Sequence, residues 1–257
     1  MTSQTDLDDY LMKNLPLFIL AAVLAACQSV YIPNAHNTPL LTKKGEFQGA
    51  AAIGISGLDV QTAGSITNHV ALMGNLAINN GSLFGANSPS FNSSDSTIFY
   101  EGGIGYYKNY RKTCFEIFAG YGSGYGRAQA DYHYGNFHDN GMMRGSYDRL
   151  FLQPSFGWNK GTFNLILTCR ISRVDFKQFK LFGTQTNVSP AFYLEPAATG
   201  RINFLDNKMY GFGQLGFTLS QDSKIEYSND PHSYYRPVTL CFGLGFRLGG
   251  LRKDDDD

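Results

Sequence analysis

The sequence is poor in charge, in cysteine and in long apolar runs. Only 16% of its 257 residues are charged, and 21 basic residues balance 21 acidic ones. This balance gives no sign of the basic surface that nucleic-acid binding requires. Cys114, Cys169 and Cys241 lie far apart, which is not the spacing of a disulfide framework. After Cys27, no uninterrupted apolar stretch is long enough for a membrane-spanning helix, so a chain of this kind could cross a membrane only with strands.

Glycine and aromatic residues are abundant instead. The chain has 29 Gly, 20 Phe and 16 Tyr, but a single Trp. Low charge combined with many glycines and aromatics is typical of an all-β protein that contacts lipid. The length after the N-terminal region is sufficient for one large domain.

The longest apolar run lies near the N-terminus. Residues Leu15–Cys27 read LPLFILAAVLAAC and are separated from Lys13 by Asn14 alone. A basic residue, a short apolar run and small residues indicate a secretory signal peptide, here over residues 12–26. Residues 1–11 are polar and acidic, so we expect them to be a non-native extension ahead of a true start at Met12.

The end of this run, Leu24–Cys27, has the sequence LAAC, which resembles the lipobox of bacterial lipoproteins. In that family the signal peptide is removed before the cysteine, and the cysteine then carries acyl chains. The resemblance implies lipidation at Cys27. The alternative is an ordinary signal peptide in which the cysteine is incidental.

A two-residue alternation indicates β-strands. From Val238 to Leu248, large apolar residues alternate with small or polar ones over about the length that a tilted strand needs to cross a membrane. The pattern recurs and predicts ten strands, an even number, as in bacterial single-chain barrels. Eight strands with an N-terminal plug are the variant. The other predicted strands lie near 46–56, 58–67, 69–79, 98–106, 115–122, 150–158, 163–172, 192–201 and 209–219.

The lengths of the connections favour a membrane barrel. Short connections near 67–68, 108–112, 159–161 and 204–208 alternate with long ones near 80–96, 132–146, 174–189 and 220–235. Transmembrane barrels have this asymmetry, with short periplasmic turns and longer outer loops. We therefore predict an all-β fold, an up-and-down antiparallel transmembrane β-barrel over residues 46–249. Residues 27–45 would form an irregular periplasmic linker or plug, and residues 250–257 an acidic tail.

Six charged side chains fall on the small or polar face of the predicted strands. If the apolar face meets lipid, these side chains lie in the lumen, where buried charges must pair. A ten-stranded barrel is only slightly wider than an eight-stranded one, whose interior side chains fill. We therefore expect a charge network in a filled lumen, the alternative being a polar conduit or a catalytic carboxylate. The six are Glu101, Glu116, Arg170, Glu195, Arg201 and Arg247.

Two other functions stay open. His133, His138 and His232 lie near aspartates in predicted loops, where outer-membrane proteases, deacylases and acyltransferases place catalytic histidines. The residue pairs of those families are not found here, so no catalytic residue, metal site or cofactor is predicted, and a hydrolase or acyltransferase is the alternative. The second alternative is a soluble, lipid-tethered β-barrel binding protein, whose apolar strand faces would point inward.

The region after Cys27 carries the patterns Tyr-x-Pro-Asn, Asn-x-Pro-Leu and Lys-Gly-Glu between Tyr31 and Gln48. Over about residues 24–80 the chain resembles uncharacterised outer-membrane β-barrel lipoproteins of Bacteroidetes. The resemblance implies the outer membrane but no activity. Residues 28–30 lack the acidic motif that marks surface lipoproteins in such bacteria, which favours an anchor on the periplasmic side. We expect a structural or accessory subunit whose partners are outer-membrane lipid and a larger outer-membrane protein complex.

Overall fold

A computed structural model describes residues 30–80, 96–134, 137–181, 183–220 and 235–249, with side chains described in these ranges except at 129–141 and 159–160. These residues form one antiparallel sheet of twelve strands. The strands are β1 Phe47–Gly54, β2 Gly57–Ser65, β3 Val70–Asn80, β4 Ser96–Asn109, β5 Thr113–Tyr134, β6 Phe137–Lys160, β7 Phe163–Leu181, β8 Thr184–Gln185, β9 Ala191–Phe204, β10 Met209–Phe217, β11 Leu219–Ser220 and β12 Val238–Leu248.

The sheet closes on itself. Each long strand pairs with its neighbours in the sequence, and β1 pairs with β12 from Phe47↔Leu248 to Gly54↔Cys241. β7 and β9 pair with each other. The two-residue strands β8 and β11 add short pairings, β8 with the end of β7 and β11 with the start of β9. The described residues therefore form a barrel of ten long strands. This confirms the predicted fold class, and the eight-stranded variant is wrong.

The two ends of the barrel differ. At one end, here named the turn end, the strands are joined by residues 66–69, 110–112, 161–162 and 205–208. β5 and β6 pair along their whole length, from Thr113↔Trp158 at the turn end to Tyr134↔Phe137 at the opposite end. A tilted strand crosses a bilayer in about 9–11 residues, so β5 with its 22 residues is about twice as long as a crossing requires. We name this opposite end the hairpin end.

The extended hairpin corrects two predicted connections. The loop expected at 132–146 is wrong, because β5 and β6 continue through it, and β7 continues to Leu181 inside the connection expected at 174–189. The apolar alternation of the sequence stops before these residues. The backbone ladder does not need that alternation and continues without it.

The apolar side chains point outward. Leu150 and Leu152 are 56% and 42% exposed, and large exposed apolar residues occur on all ten long strands. Towards the hairpin end this belt gives way to charged side chains such as Asp148 and Lys177, which lie 3.5 Å apart. A soluble barrel would have placed the apolar faces inside, so that alternative is contradicted. The described residues contain no helix with the length and hydropathy of a transmembrane helix.

Candidate functional site

The interior of the barrel contains the chain's own N-terminal segment. Every residue of Val30–Leu41 is buried, and we name this segment the plug. Within the described residues it makes a single β-bridge, between Tyr31 and Tyr235, and near its other end Leu40 has a positive φ of 52°. Pro33 and Pro39 lack the N–H group that a strand ladder requires, which explains why the segment does not join the sheet. Residues expected to form an irregular linker or plug thus lie inside the barrel.

The plug runs from the hairpin end to the turn end. Val30 lies against Gly126 and Gly145 in the extended part of β5 and β6, so closely that a Cβ atom at Gly126 would be 2.1 Å from the Val30 carbonyl oxygen. At the other end, Leu40 packs on Gly157, near the end of β6 that carries a short turn. Only glycine leaves room for the plug backbone at Gly126.

An aromatic layer surrounds the plug near the hairpin end. The ring of Tyr31 lies 5.3 Å from that of Tyr147 and 4.9 Å from that of Tyr193. Phe99 stacks on the other side of this group, 5.8 Å from Tyr147, and Phe176 completes it at 5.7 Å. All five rings are buried, so this part of the lumen is filled with aromatic side chains.

A charge network lies below the aromatic layer. Glu101, Arg149, Arg170 and Glu195 are all buried. Arg149 is paired with Glu101, and Nε of Arg170 is 2.5 Å from Glu195 Oε2. Nη1 of Arg170 also lies 3.7 Å from Glu101, which joins the two pairs. Two carboxylates and two guanidinium groups give the layer no net charge, as burial requires.

Plug side chains complete this network. The hydroxyl of Tyr31 donates to Glu195 at 2.8 Å and accepts from Arg149 at 2.9 Å. The Asn34 amide donates to Glu101 at 3.0 Å, while its oxygen accepts from Arg149 at 2.7 Å. The plug therefore supplies hydrogen bonds that the charged strand residues would otherwise lack.

Other strand side chains bind the plug backbone. Gln214 accepts from the His36 N–H at 2.7 Å and donates to the His36 carbonyl at 3.0 Å. Gln153 donates to the Asn37 carbonyl at 2.7 Å, and Gln61 donates to the Ala35 carbonyl at 3.1 Å. Side chains thus take the place of a neighbouring strand in satisfying the backbone of the plug.

Further charges hold the lower part of the plug. Glu116 accepts from the Leu41 N–H at 2.9 Å, and Arg201 donates to the Pro39 carbonyl at 3.0 Å. Arg247 of β12 lies 3.0 Å from Glu46, the residue before β1. Glu116 and Arg201 therefore bind the plug backbone, whereas Arg247 pairs with a carboxylate.

The six charged residues proposed from the sequence all lie in the interior but do not form one network. Glu101, Arg170 and Glu195 meet in the central layer, and the other three bind the lower plug or Glu46 as described. Arg149 was not among the predicted lumen charges, although Leu150 and Leu152 face outward and alternation therefore turns residue 149 inward. The plug was not predicted as the partner of these charges either, and no periodic signal could have found it.

Several residues singled out from the sequence lie outside this description. Cys27 and His232 are not among the described residues, and the side chains of His133 and His138 are not described, although the ladder pairs these two histidines directly. Within the described part of the chain, no group of three or more His, Cys, Asp or Glu residues could hold a metal ion.

The position of Val30 bears on the expected anchor. Cys27 precedes Val30 by only three residues, and Val30 lies at the hairpin end. The plug therefore enters the lumen at the hairpin end and reaches the turn end before β1 begins. Cys27 itself is not among the described residues, so the anchor on the periplasmic side stays a prediction.

No protein-family model and no curated protein matches the sequence. Among solved structures, the chain is similar to the translocator domain of autotransporter NalP from Neisseria meningitidis, at 9% identity and a TM-score of 0.37 over 79% of this chain and 86% of that one. It is also similar to a loop-deletion mutant of OmpT, an outer membrane protein of Vibrio cholerae, at 8% identity and a TM-score of 0.22 over 79% and 97% of the two chains. At these identities the similarity does not extend to individual side chains.

Proposed function

We propose that this chain is a lipid-anchored outer-membrane β-barrel that serves as a structural or accessory subunit of a larger outer-membrane complex. The observation that carries the proposal is the plug, which fills the lumen with the chain's own residues. A subunit of this kind contributes a folded body and a surface to its complex, and neither a transport path nor a catalytic site is part of the proposal.

The outer surface supports a place in lipid. Exposing a large apolar side chain to water costs about 1.5–3 kcal/mol, and such side chains surround this barrel on every long strand. On β6 and β7 the belt gives way to ion pairs of Lys177 with Asp148 and Asp175, at N–O distances of 3.5 and 3.4 Å. A hydrocarbon layer around the belt and water beyond it account for both features.

The filled lumen argues for a role other than transport. A conducting barrel needs a continuous polar path, but here Arg149 and Arg170 are fully buried between the barrel wall and the plug. To open such a path, the plug would have to leave and the strand side chains would lose the hydrogen bonds described above. The cost of leaving buried charges unpaired opposes this movement.

The extended hairpin supports the proposal that this chain binds a partner protein. Among the described residues, β6 pairs only with β5 beyond the Met143↔Leu181 pair, so the described hairpin is two-stranded up to Tyr134↔Phe137. A two-stranded hairpin is only marginally stable in water. A partner protein packed on this hairpin would supply the contacts that a third strand provides elsewhere.

Shortening the hairpin tests this role. Arg127 and Arg144 face each other in the ladder, so residues 128–143 can be replaced by an Asn-Gly turn that suits a two-residue hairpin connection. We expect the native protein to co-purify from cross-linked, detergent-solubilised membranes with a partner in fixed ratio, and the shortened variant to lose it. Heat-modifiable migration in gels serves as the control for an intact barrel. A native protein that purifies as a monomer without a partner would contradict the proposal.

A further inference from the structure

We propose that the barrel is threaded by its own N-terminal segment, so that the lipid on Cys27 lies in the outer leaflet at the cell surface. The presence of a membrane and the lipid on Cys27 are taken from the proposed function, whereas the threading rests on the position of the plug alone. The acyl chains would insert into the outer leaflet of the membrane, on the side where the hairpin projects.

Two separate contacts fix the upper end of the plug. Val30 lies against Gly126 and Gly145, which pair with each other in the ladder. The next pair towards the hairpin tip is Arg127↔Arg144, which belongs to the polar region beyond the apolar belt. The next plug residue forms a bridge with Tyr235, which lies three residues before β12 begins at the same end of the barrel. The chain therefore leaves the barrel above the hydrocarbon layer.

The distance from Val30 to Cys27 is too short for a return to the other leaflet. Each residue of an extended chain spans at most about 3.6 Å, so the two Cα atoms are no more than about 11 Å apart. The hydrocarbon core is about 30 Å thick. The route back through the lumen is occupied by the plug itself. Acyl chains on Cys27 must therefore insert at the hairpin end.

The connections identify the hairpin end as the cell-surface side. Four short turns lie at the turn end, whereas the connections between long strands at 81–95, 182–190 and 218–237 lie at the hairpin end together with the projecting hairpin. Two links at this end have only two residues: the turn between β1 and β2, and the link between β5 and β6 at the tip of the projecting hairpin. Short turns are periplasmic and long connections extracellular in outer-membrane barrels.

Threading also constrains the order of assembly. An acylated N-terminus cannot be drawn through a lumen that is already packed, so the plug must be in place before the barrel closes. The last step is then the pairing of β1 with β12. The ion pair between Glu46 and Arg247 connects the two sides of this junction, directly below the plug.

A protease-accessibility experiment tests the inference. The same cleavage site is inserted in three variants: between residues 29 and 30, in the 182–190 connection and in the 205–208 turn. In intact cells we expect added protease to cut the first two sites and to spare the third, which should be cut only after permeabilisation. If the site before Val30 is protected in intact cells, or if the 205–208 site is cut there, the inference is wrong.

Acylation is measured separately, so that the two proposals can fail independently. Metabolic labelling with an alkyne fatty acid should mark the native chain and leave the Cys27→Ser variant unmarked. If the native chain is not labelled, the lipoprotein part of the proposed function fails, and the surface anchor fails with it, whatever the protease pattern. If the chain is labelled and the site before Val30 is protected, the anchor exists but the threading is wrong.

Discussion

Arg149 joins the plug to the central layer, and Arg149→Met removes its three polar contacts. The variant loses the ion pair to Glu101, the bond to the Tyr31 hydroxyl at 2.9 Å and the bond to Asn34 at 2.7 Å. Methionine fills a similar volume, so the change is mainly one of charge and hydrogen bonding.

The expected cost follows from what stays behind. Removing one member of a buried ion pair costs about 3–5 kcal/mol, because the other charge is left uncompensated. Here Glu101 keeps Arg170 at 3.7 Å and the Asn75 amide at 2.7 Å. The expected loss is therefore near the lower limit, about 3 kcal/mol in the free energy of unfolding.

Denaturant unfolding in lipid vesicles measures this loss. The matched control is Lys177→Met, which removes ion pairs at 3.5 and 3.4 Å on a side chain that is 56% exposed. An exposed pair contributes about 0–1 kcal/mol, so the control should be close to the native protein. A double variant, Arg149→Met with Glu101→Gln, should recover part of the loss because no unpaired charge remains. If Arg149→Met costs no more than the control, the layer is hydrated and the reasoning is wrong.

Three further predictions concern the plug and the belt. Deletion of Val30–Leu41 should turn a closed barrel into a conducting one in planar bilayers, and an unchanged conductance would show that the plug does not close the lumen. Gly126→Ala, whose Cβ would meet the Val30 carbonyl at 2.1 Å, should lower the unfolding midpoint, whereas Gly200→Ala, with 3.8 Å to its nearest atom, should not; equal midpoints would contradict this path. Trp158, the single tryptophan, should be quenched more by lipids brominated near the headgroup than by aqueous iodide, and the reverse would contradict its place at the lipid boundary.

The barrel wall could be predicted from the sequence because lipid acts on every second residue. Leu150 and Leu152 are exposed while Gln153 and Arg149 are buried. This difference between the two faces of a strand produces the alternation of apolar and polar residues in the sequence. Beyond the belt the ladder of β5 and β6 continues without the same alternation in the sequence. The sequence therefore predicted where strands cross the membrane and not where they end.

The plug could not be predicted in this way. Its contacts are single hydrogen bonds between residues far apart in the sequence, such as Gln214 and His36, which are separated by 178 positions. Glu116 and Arg201 were recognised as lumen charges from their faces alone. Their partners are backbone groups of Leu41 and Pro39, and backbone groups leave no mark on the side-chain pattern.

Strand counting locates a terminus only if every crossing of the membrane is a strand. Ten strands return the chain to the side on which β1 begins, which places Phe47 and Leu248 together, as their pairing requires. The plug adds a crossing that is not a strand. Its twelve residues from Val30 to Leu41, at about 3.3 Å each when extended, span about 40 Å, more than the roughly 30 Å of the hydrocarbon core. With this extra crossing the total is odd, so Val30 and Leu248 lie at opposite ends of the barrel.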